Sequence, residues 1–280
     1  MLSNTHSQFE KDIQQELLAK YEKFIKYQAL MLNVLNDFHR VCEKYNIQYF
    51  LAYGSLLGAI RDNGQIPWDY DIDTWVRFED KEKLFSALEQ DLNKEYYFVC
   101  HYYKKSAYHR MLRISPKGYN SEVLHVDIFW LSGAPTVAEV NKKNFALLAK
   151  IRRISLYKHL DFKFISYNQS RTICMYSKMV SFCCKMIPDF LLDSVYNKKV
   201  SIPSRSSVML CDGDTLYVES SLFDEPELIT LAKGMQYHVP KKYDKLKTLL
   251  YGNYRCYLPI ANRIKEFLNS LDRIETLGKI

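Results

Sequence analysis

Between positions 31 and 45 the apolar residues Met31, Val34, Leu35, Phe38, Val41, Cys42 and Tyr45 recur in steps of three and four. That period predicts a helix over the N-terminal stretch to about residue 46, with one buried stripe. The pattern then changes. Residues 49–53 are a near-continuous apolar run, as a buried strand requires, and lead through Gly54 and Ser55 into a second helical pattern over 56–61, with Ser55 placed as its N-cap. Residues 69–75 alternate acid and hydrophobe, which predicts a strand with Asp69, Asp71 and Asp73 on one face. Glu79 and Asp80 stand where negative charge favours a helix start, and Leu84, Phe85, Leu88 and Leu92 supply its inner face. Strands are expected at 96–100, 109–114 and 123–129, the last carrying Asp127, and helices at 240–250 and 259–271, each with proline in its first turn. These elements together give an α/β (α+β) fold, a mixed sheet flanked by helices.

The three carboxylates carry chemistry. At a separation of 4 Å and an effective dielectric near 20, two like charges repel by about 4 kcal/mol, so such a cluster binds a cation or takes up protons. Oxygen-only ligands favour Mg2+ or Mn2+, and magnesium characteristically combines one or two carboxylates with substrate phosphates. The strand, Gly54-Ser55 turn and helix start just upstream offer backbone N–H groups and a positive dipole end to an anion. A nucleotide or another phosphate ester is the implied partner. The competing reading of alternating acids is a solvated strand face.

Composition limits the alternatives. The chain has 280 residues, 48% of them hydrophobic, enough for a substantial core. Seven scattered cysteines without a C-x-x-C pair suggest reduced core residues, neither zinc nor a disulfide framework. Early polar residues, from Ser3 to Asp12, argue against a cleaved leader, so a cytoplasmic location is expected, with peripheral contact at the inner face of the membrane. Formal charge is +7, but residues 141–200 hold twelve Lys and Arg against three acids, a local balance of +9 that leaves −2 elsewhere. This segment suits an anionic membrane or a charged glycan, or else a basic helical cap that packs on the core. Its apolar stretch, 173–192, is interrupted by Lys178, Lys185 and Pro188, which argues against a spanning helix and leaves room for a surface-lying amphipathic one. No nucleic-acid-binding motif accompanies the charge. The expected organisation is a catalytic core over 1–140, with a basic helical subdomain and C-terminal helices over 141–280 completing the same unit.

The string GSLLGAIRDNGQIPWDYDID, residues 54–73, resembles the LicD family, close to the fukutin-related proteins. Weaker likeness extends to 126–129, 239–244 and 250–254. The resemblance implies a nucleotidyltransferase-like fold and transfer of phosphocholine, or a related phospho-alcohol, from a CDP-activated donor, CDP-choline foremost. The acceptor is a sugar hydroxyl of a cell-surface or lipid-linked glycan such as lipopolysaccharide, teichoic acid or capsule, and CMP leaves. By position it implies Asp71, Asp73 and Asp127 as metal ligands, with Asp69 a further ligand or general base. Arg61 and Arg113 are candidate phosphate contacts, with surface or helix-end cations as the plainer reading. His125 is a candidate second base or a packed histidine. Trp68 and Tyr70 are candidate caps for a nucleobase or quaternary ammonium, or buried aromatics. The chain departs from the family pattern at Tyr70, at Ile114, and at Trp130 and Ser132. Two alternatives remain: a nucleotidyltransferase that releases pyrophosphate, and a non-catalytic, membrane-associated nucleotide-binding scaffold.

Overall fold

The computed structural model describes residues 4–99, 112–134, 142–159, 162–165, 167, 169–200, 207–211, 215–232 and 234–279. The N-terminal periodicity becomes α1 (Asn4–Lys44), a long helix whose Met31, Val34, Leu35, Phe38, Val41 and Cys42 are wholly buried. β1 (Tyr49–Leu51) follows, fully buried, and passes directly into α2 (Tyr53–Arg61). β2 (Ile72–Arg77), α3 (Lys81–Asp91), β3 (Tyr97–Val99), β4 (Leu112–Pro116) and β5 (Val126–Ala134) complete the first half.

The sheet runs β1-β2-β5-β4-β3, antiparallel except for the parallel pair β2–β5. Helices α4 (Lys142–His159), the single turn α5 (Phe162–Ile165), α6 (Arg171–Lys185) and α7 (Asp189–Val200) follow. Two strands, β6 (Ser207–Cys211) and β7 (Thr215–Glu219), then extend the main sheet through β5, and β8 (Pro226–Ala232) and β9 (Met235–Pro240) form a separate hairpin. The chain ends in α8 (Tyr243–Tyr251) and α9 (Ile260–Leu277).

Several expectations shift. β2 begins at Ile72, so Asp69 and Asp71 lie in the loop before it and only Asp73 is on the strand. The cause is tertiary: the buried Gln28 amide of α1 donates to the carbonyls of Ile66 at 3.0 Å and Asp69 at 2.6 Å, holding the loop away from the sheet. Ser55 is not an N-cap. Ala52 occupies that position without a side-chain bond, and Ser55 is buried in the first turn, where its Oγ accepts the N–H of Asp73 at 2.9 Å. His125 precedes β5 instead of lying on it. Pro240 closes β9, and Pro259 is the N-cap residue of α9. The sequence pattern predicts no strands in the second half, yet β6 and β7 bring residues beyond 140 into the sheet of the first half. The expected strand residues 100 and 109–111 fall outside the described residues. Of the cysteines, Cys42 and Cys184 are buried as expected, whereas Cys183 and Cys256 are exposed.

Candidate active site

The site is built where β1 hands over to α2. The N–H of Ala52 donates to the carbonyl of Asp73 at 2.8 Å, and Ser55 Oγ accepts the Asp73 N–H, so both backbone polar groups of Asp73 are fixed to the start of α2. Tyr53, the first residue of the helix, holds φ at +36°, in the left-handed region that a tyrosine rarely occupies. Edge contacts of its ring with Trp75, 4.9 Å between centroids, and Phe129, 5.1 Å, keep it there. The first-turn N–H groups of α2 have no intrahelical acceptor, as in any helix.

Asp69 packs directly on that turn. A Cβ on Gly54 would stand 2.9 Å from Asp69 Oδ2, so the glycine is what admits the carboxyl. Burial, followed by the neighbouring Asp71 carboxylate, pushes the Asp69 carboxyl well above the usual range, although it accepts backbone N–H bonds from Tyr70 and Asp71. A buried carboxyl beside a second carboxylate is an environment that a hard cation relieves, and the donors are all oxygens. The residues present therefore fit Mg2+ or Mn2+.

Asp73 faces Asp127 across the parallel pair, and Asp127 in turn faces Arg113 of β4, so the three form one row on a single face of the sheet. Asp127 is buried. Arg113 Nε donates to its Oδ1 at 2.7 Å, and His125 Nε2 lies 3.3 Å from its Oδ2. Burial opposes ionisation of Asp127, but the Arg113 guanidinium and then the His125 ring outweigh it and hold the carboxyl below the usual range. Arg113 also spends Nη1 on Glu122 Oε2 at 2.6 Å, so this cation is set between two acids.

Arg61 closes α2 with its Nη2 2.8 Å from Asp62 Oδ2. Its guanidinium lies over Tyr257, 4.5 Å from the ring centre, and over Trp68 at 5.7 Å. Arg263 of α9 lies 5.5 Å from Trp68 and 5.6 Å from Tyr257. Two rings and two guanidinium groups thus share one corner. Tyr70 is elsewhere: it is buried, edge-on to Phe24 of α1.

Two contributors escaped the sequence reading. Gln28, which holds the Ile66–Asp69 loop, is one of many polar residues on α1. Lys247 of α8 is wholly buried, and its Nζ donates to the carbonyl of Tyr53. Burial lowers its pKa to about 6, Asp73 acts in the opposite sense and Arg61 adds to the lowering. It falls between the weakly similar stretches 239–244 and 250–254, so the resemblance gives no sign of this. Among the described residues, the His, Cys, Asp or Glu trio whose ligand atoms all lie within 4.8 Å of one another is His39, Glu43 and His238, near the start of β1. The acids of the site are more widely spread.

Residues 46–165 match the family model LicD/FKTN/FKRP, nucleotidyltransferase domain. The chain carries a LicD-family domain. The lipopolysaccharide cholinephosphotransferase LicD of Haemophilus influenzae is 31% identical over 137 residues, covering 46% of this chain and 51% of the relative. The human ribitol 5-phosphate transferase FKRP is 36% identical over 92 residues, 32% of this chain and 18% of the relative. The chain thus spans about half the length of the first of these curated relatives and less of the second. The matched LicD-family region contains α2, the loop with Asp69 and Asp71, β2 and β5, so all four acids lie inside it.

Proposed function

We propose that this protein transfers a phospho-alcohol group, phosphocholine foremost, from a CDP-activated donor to a sugar hydroxyl of a cell-surface glycan, with release of CMP. The observation that carries this reading is the seating of Asp69 on Gly54 in the first turn of α2, with the Asp73 backbone tied to Ser55 and the Asp73–Asp127–Arg113 row alongside, inside the region that matches the LicD family. The relatives are named as a lipopolysaccharide cholinephosphotransferase and a ribitol 5-phosphate transferase, which supports a phosphoryl-alcohol cargo over a nucleotidyl one.

In the reaction, the acceptor oxygen forms a bond to the phosphorus that bears the alcohol. The bond between that phosphorus and the bridging oxygen breaks, and CMP departs with the bridging oxygen and the electron pair. Asp71 and Asp73, with Asp127 behind them, would hold the divalent ion, which supplies neutralisation of charge on the donor phosphates. Asp69 has the property needed in a proton acceptor, because burial and Asp71 raise its affinity for a proton. Asp127 is a poor base for the opposite reason and serves as a fixed anion. The Trp68, Tyr257, Arg61 and Arg263 corner suits a stacked base or a phosphate better than a quaternary ammonium, which two guanidinium groups repel.

Incubation with CDP-choline, Mg2+ and a glycan acceptor should release CMP in proportion to phosphocholine incorporated. Pyrophosphate release from CTP, without CMP release from CDP-choline, would replace this reading with nucleotidyl transfer.

A further inference from the structure

Helix α6 is amphipathic in the sense opposite to that of a helix packed in water. Its buried side chains are Ser177, Ser181 and Cys184, and Ser181 Oγ donates to the Tyr157 carbonyl of α4 at 2.8 Å. Its outward side carries large apolar side chains: Met175 is 74% exposed, Met179 60%, Phe182 69% and Met186 73%. Spacings of four, three and four residues place these on one face. Beyond Pro188 the run of exposed apolar side chains continues with Phe190, 67% exposed. A rotation of α6 by half a turn would bury the methionines and expose the serines, as the hydrophobic effect favours for a helix with no other partner. The observed orientation spends the inner face on small residues and leaves an apolar stripe outside.

Charge selects the occupant. Lys178 and Lys185, seven residues apart, border the stripe on one side, and Arg171 stands at the head of the helix; all three are exposed. The segment 141–200 carries +9 against −2 for the rest of the chain. A second copy docked on the same face would oppose two such segments. An anionic bilayer instead offers acyl chains to the stripe and headgroups to the lysines, whose stems reach outward from the apolar boundary. No helix among the described residues is long and apolar enough to cross a membrane, so contact is with the surface.

We propose that the α6 face formed by Met175, Met179, Phe182 and Met186, with Phe190 beyond it, docks on the surface of an anionic lipid bilayer. This inference rests on the helix and does not depend on the transfer reaction. The test is co-sedimentation of the full chain with phosphatidylglycerol–phosphatidylethanolamine vesicles and with phosphatidylcholine vesicles. The wild type should partition to the anionic vesicles more strongly, and more weakly as salt rises. The triple variant Met179→Ser, Phe182→Ser, Met186→Ser should lose on the order of tenfold or more in partitioning. Its circular dichroism should be unchanged, because the substituted side chains are exposed. Lys178→Glu with Lys185→Glu should weaken binding to anionic vesicles alone. Equal partitioning of wild type and triple variant, or no vesicle binding by the wild type, would overturn the proposal. So would a wild-type dimer, seen by light scattering, that the triple variant converts to monomer without any vesicle binding. CMP release with a short water-soluble acceptor reports on the reaction separately and should be the same in both proteins.

Discussion

Asp73 of β2 and Asp127 of β5 are direct partners in the parallel ladder, and Thr74 Oγ1 locks that register by donating to the Asp127 carbonyl at 3.0 Å. The two carboxyl groups are 54 residues apart in sequence and face the same side of the sheet. They are differently supported. Asp127 is buried and paired to Arg113, whereas Asp73 is partly exposed beside α2.

That difference predicts different phenotypes for the two isosteric changes. Asp73→Asn should keep the fold and reduce kcat/KM for CMP release by on the order of a hundredfold or more. Asp127→Asn should also reduce stability, because Arg113 then loses one of its two buried anions. Thermal melts and steady-state kinetics on the same preparations separate the two outcomes. Equal stability loss in both variants would contradict the assignment.

Asp69 ties the site to pH through its raised carboxyl pKa and, through the proposed cation, to metal. Its folded pKa lies above its unfolded value, so the stability this group contributes is present at low pH and is lost as pH rises through the folded pKa. In metal-free protein, Asp69→Asn should therefore be neutral or stabilising at neutral pH. Added Mg2+ or Mn2+ should raise the melting temperature of the wild type more at neutral pH than near pH 5, and should do so less in Asp69→Asn. A thermal shift of the same size at both pH values would count against a cation in this cluster.

Two glycines of α2 should separate chemistry from stability. At Gly54 an added Cβ meets the end of the Asp69 side chain, which can move, and alanine favours a helix by about 1 kcal/mol over glycine. Gly54→Ala is expected to fold normally and to lose activity as the carboxyl is displaced. At Gly58 the Cβ meets backbone, 2.5 Å from the Gly64 carbonyl and 2.9 Å from the Ile66 nitrogen. Gly58→Ala should destabilise the protein by about 1–3 kcal/mol in denaturant titrations. The reverse ranking of stabilities would show that the loop is not seated on α2 in this way.

Lys247 gives a second pH signature. Its folded pKa of about 6 lies below the ordinary lysine value, so between these limits the unfolded chain binds more protons than the folded one and stability rises with pH. Denaturation midpoints should climb from about pH 6 toward about pH 10, and Lys247→Met should remove this part of the slope. An unchanged slope in the variant would place the proton elsewhere.

Much of this arrangement was legible in the sequence because it is local. The α1 stripe, the apolar run of β1, the turn into α2 and the inner face of α3 follow from periodicity and breakers alone. What failed was set by contacts distant in sequence. The D-x-D-x-D alternation looks like a strand throughout, yet the Gln28 amide, 38 and 41 residues away, takes the carbonyls of Ile66 and Asp69 and delays β2 to Ile72. Ser55 has a cap's chemistry but spends its oxygen on Asp73, so the same side chain joins helix to strand. Lys247 reads as one more exposed lysine of α8 until the fold buries it beneath α2. The four strands after residue 200 are short, and two of them exist only by pairing with β5 or with each other.

The most direct test of the central claim is a crystal of the protein with Mn2+ and CDP-choline, measured at a wavelength where manganese scatters anomalously. The account predicts an anomalous peak bound by Asp71 and Asp73 oxygens, with donor phosphate against the first turn of α2. Phosphate density at that turn or elsewhere with no peak on either carboxylate would contradict it.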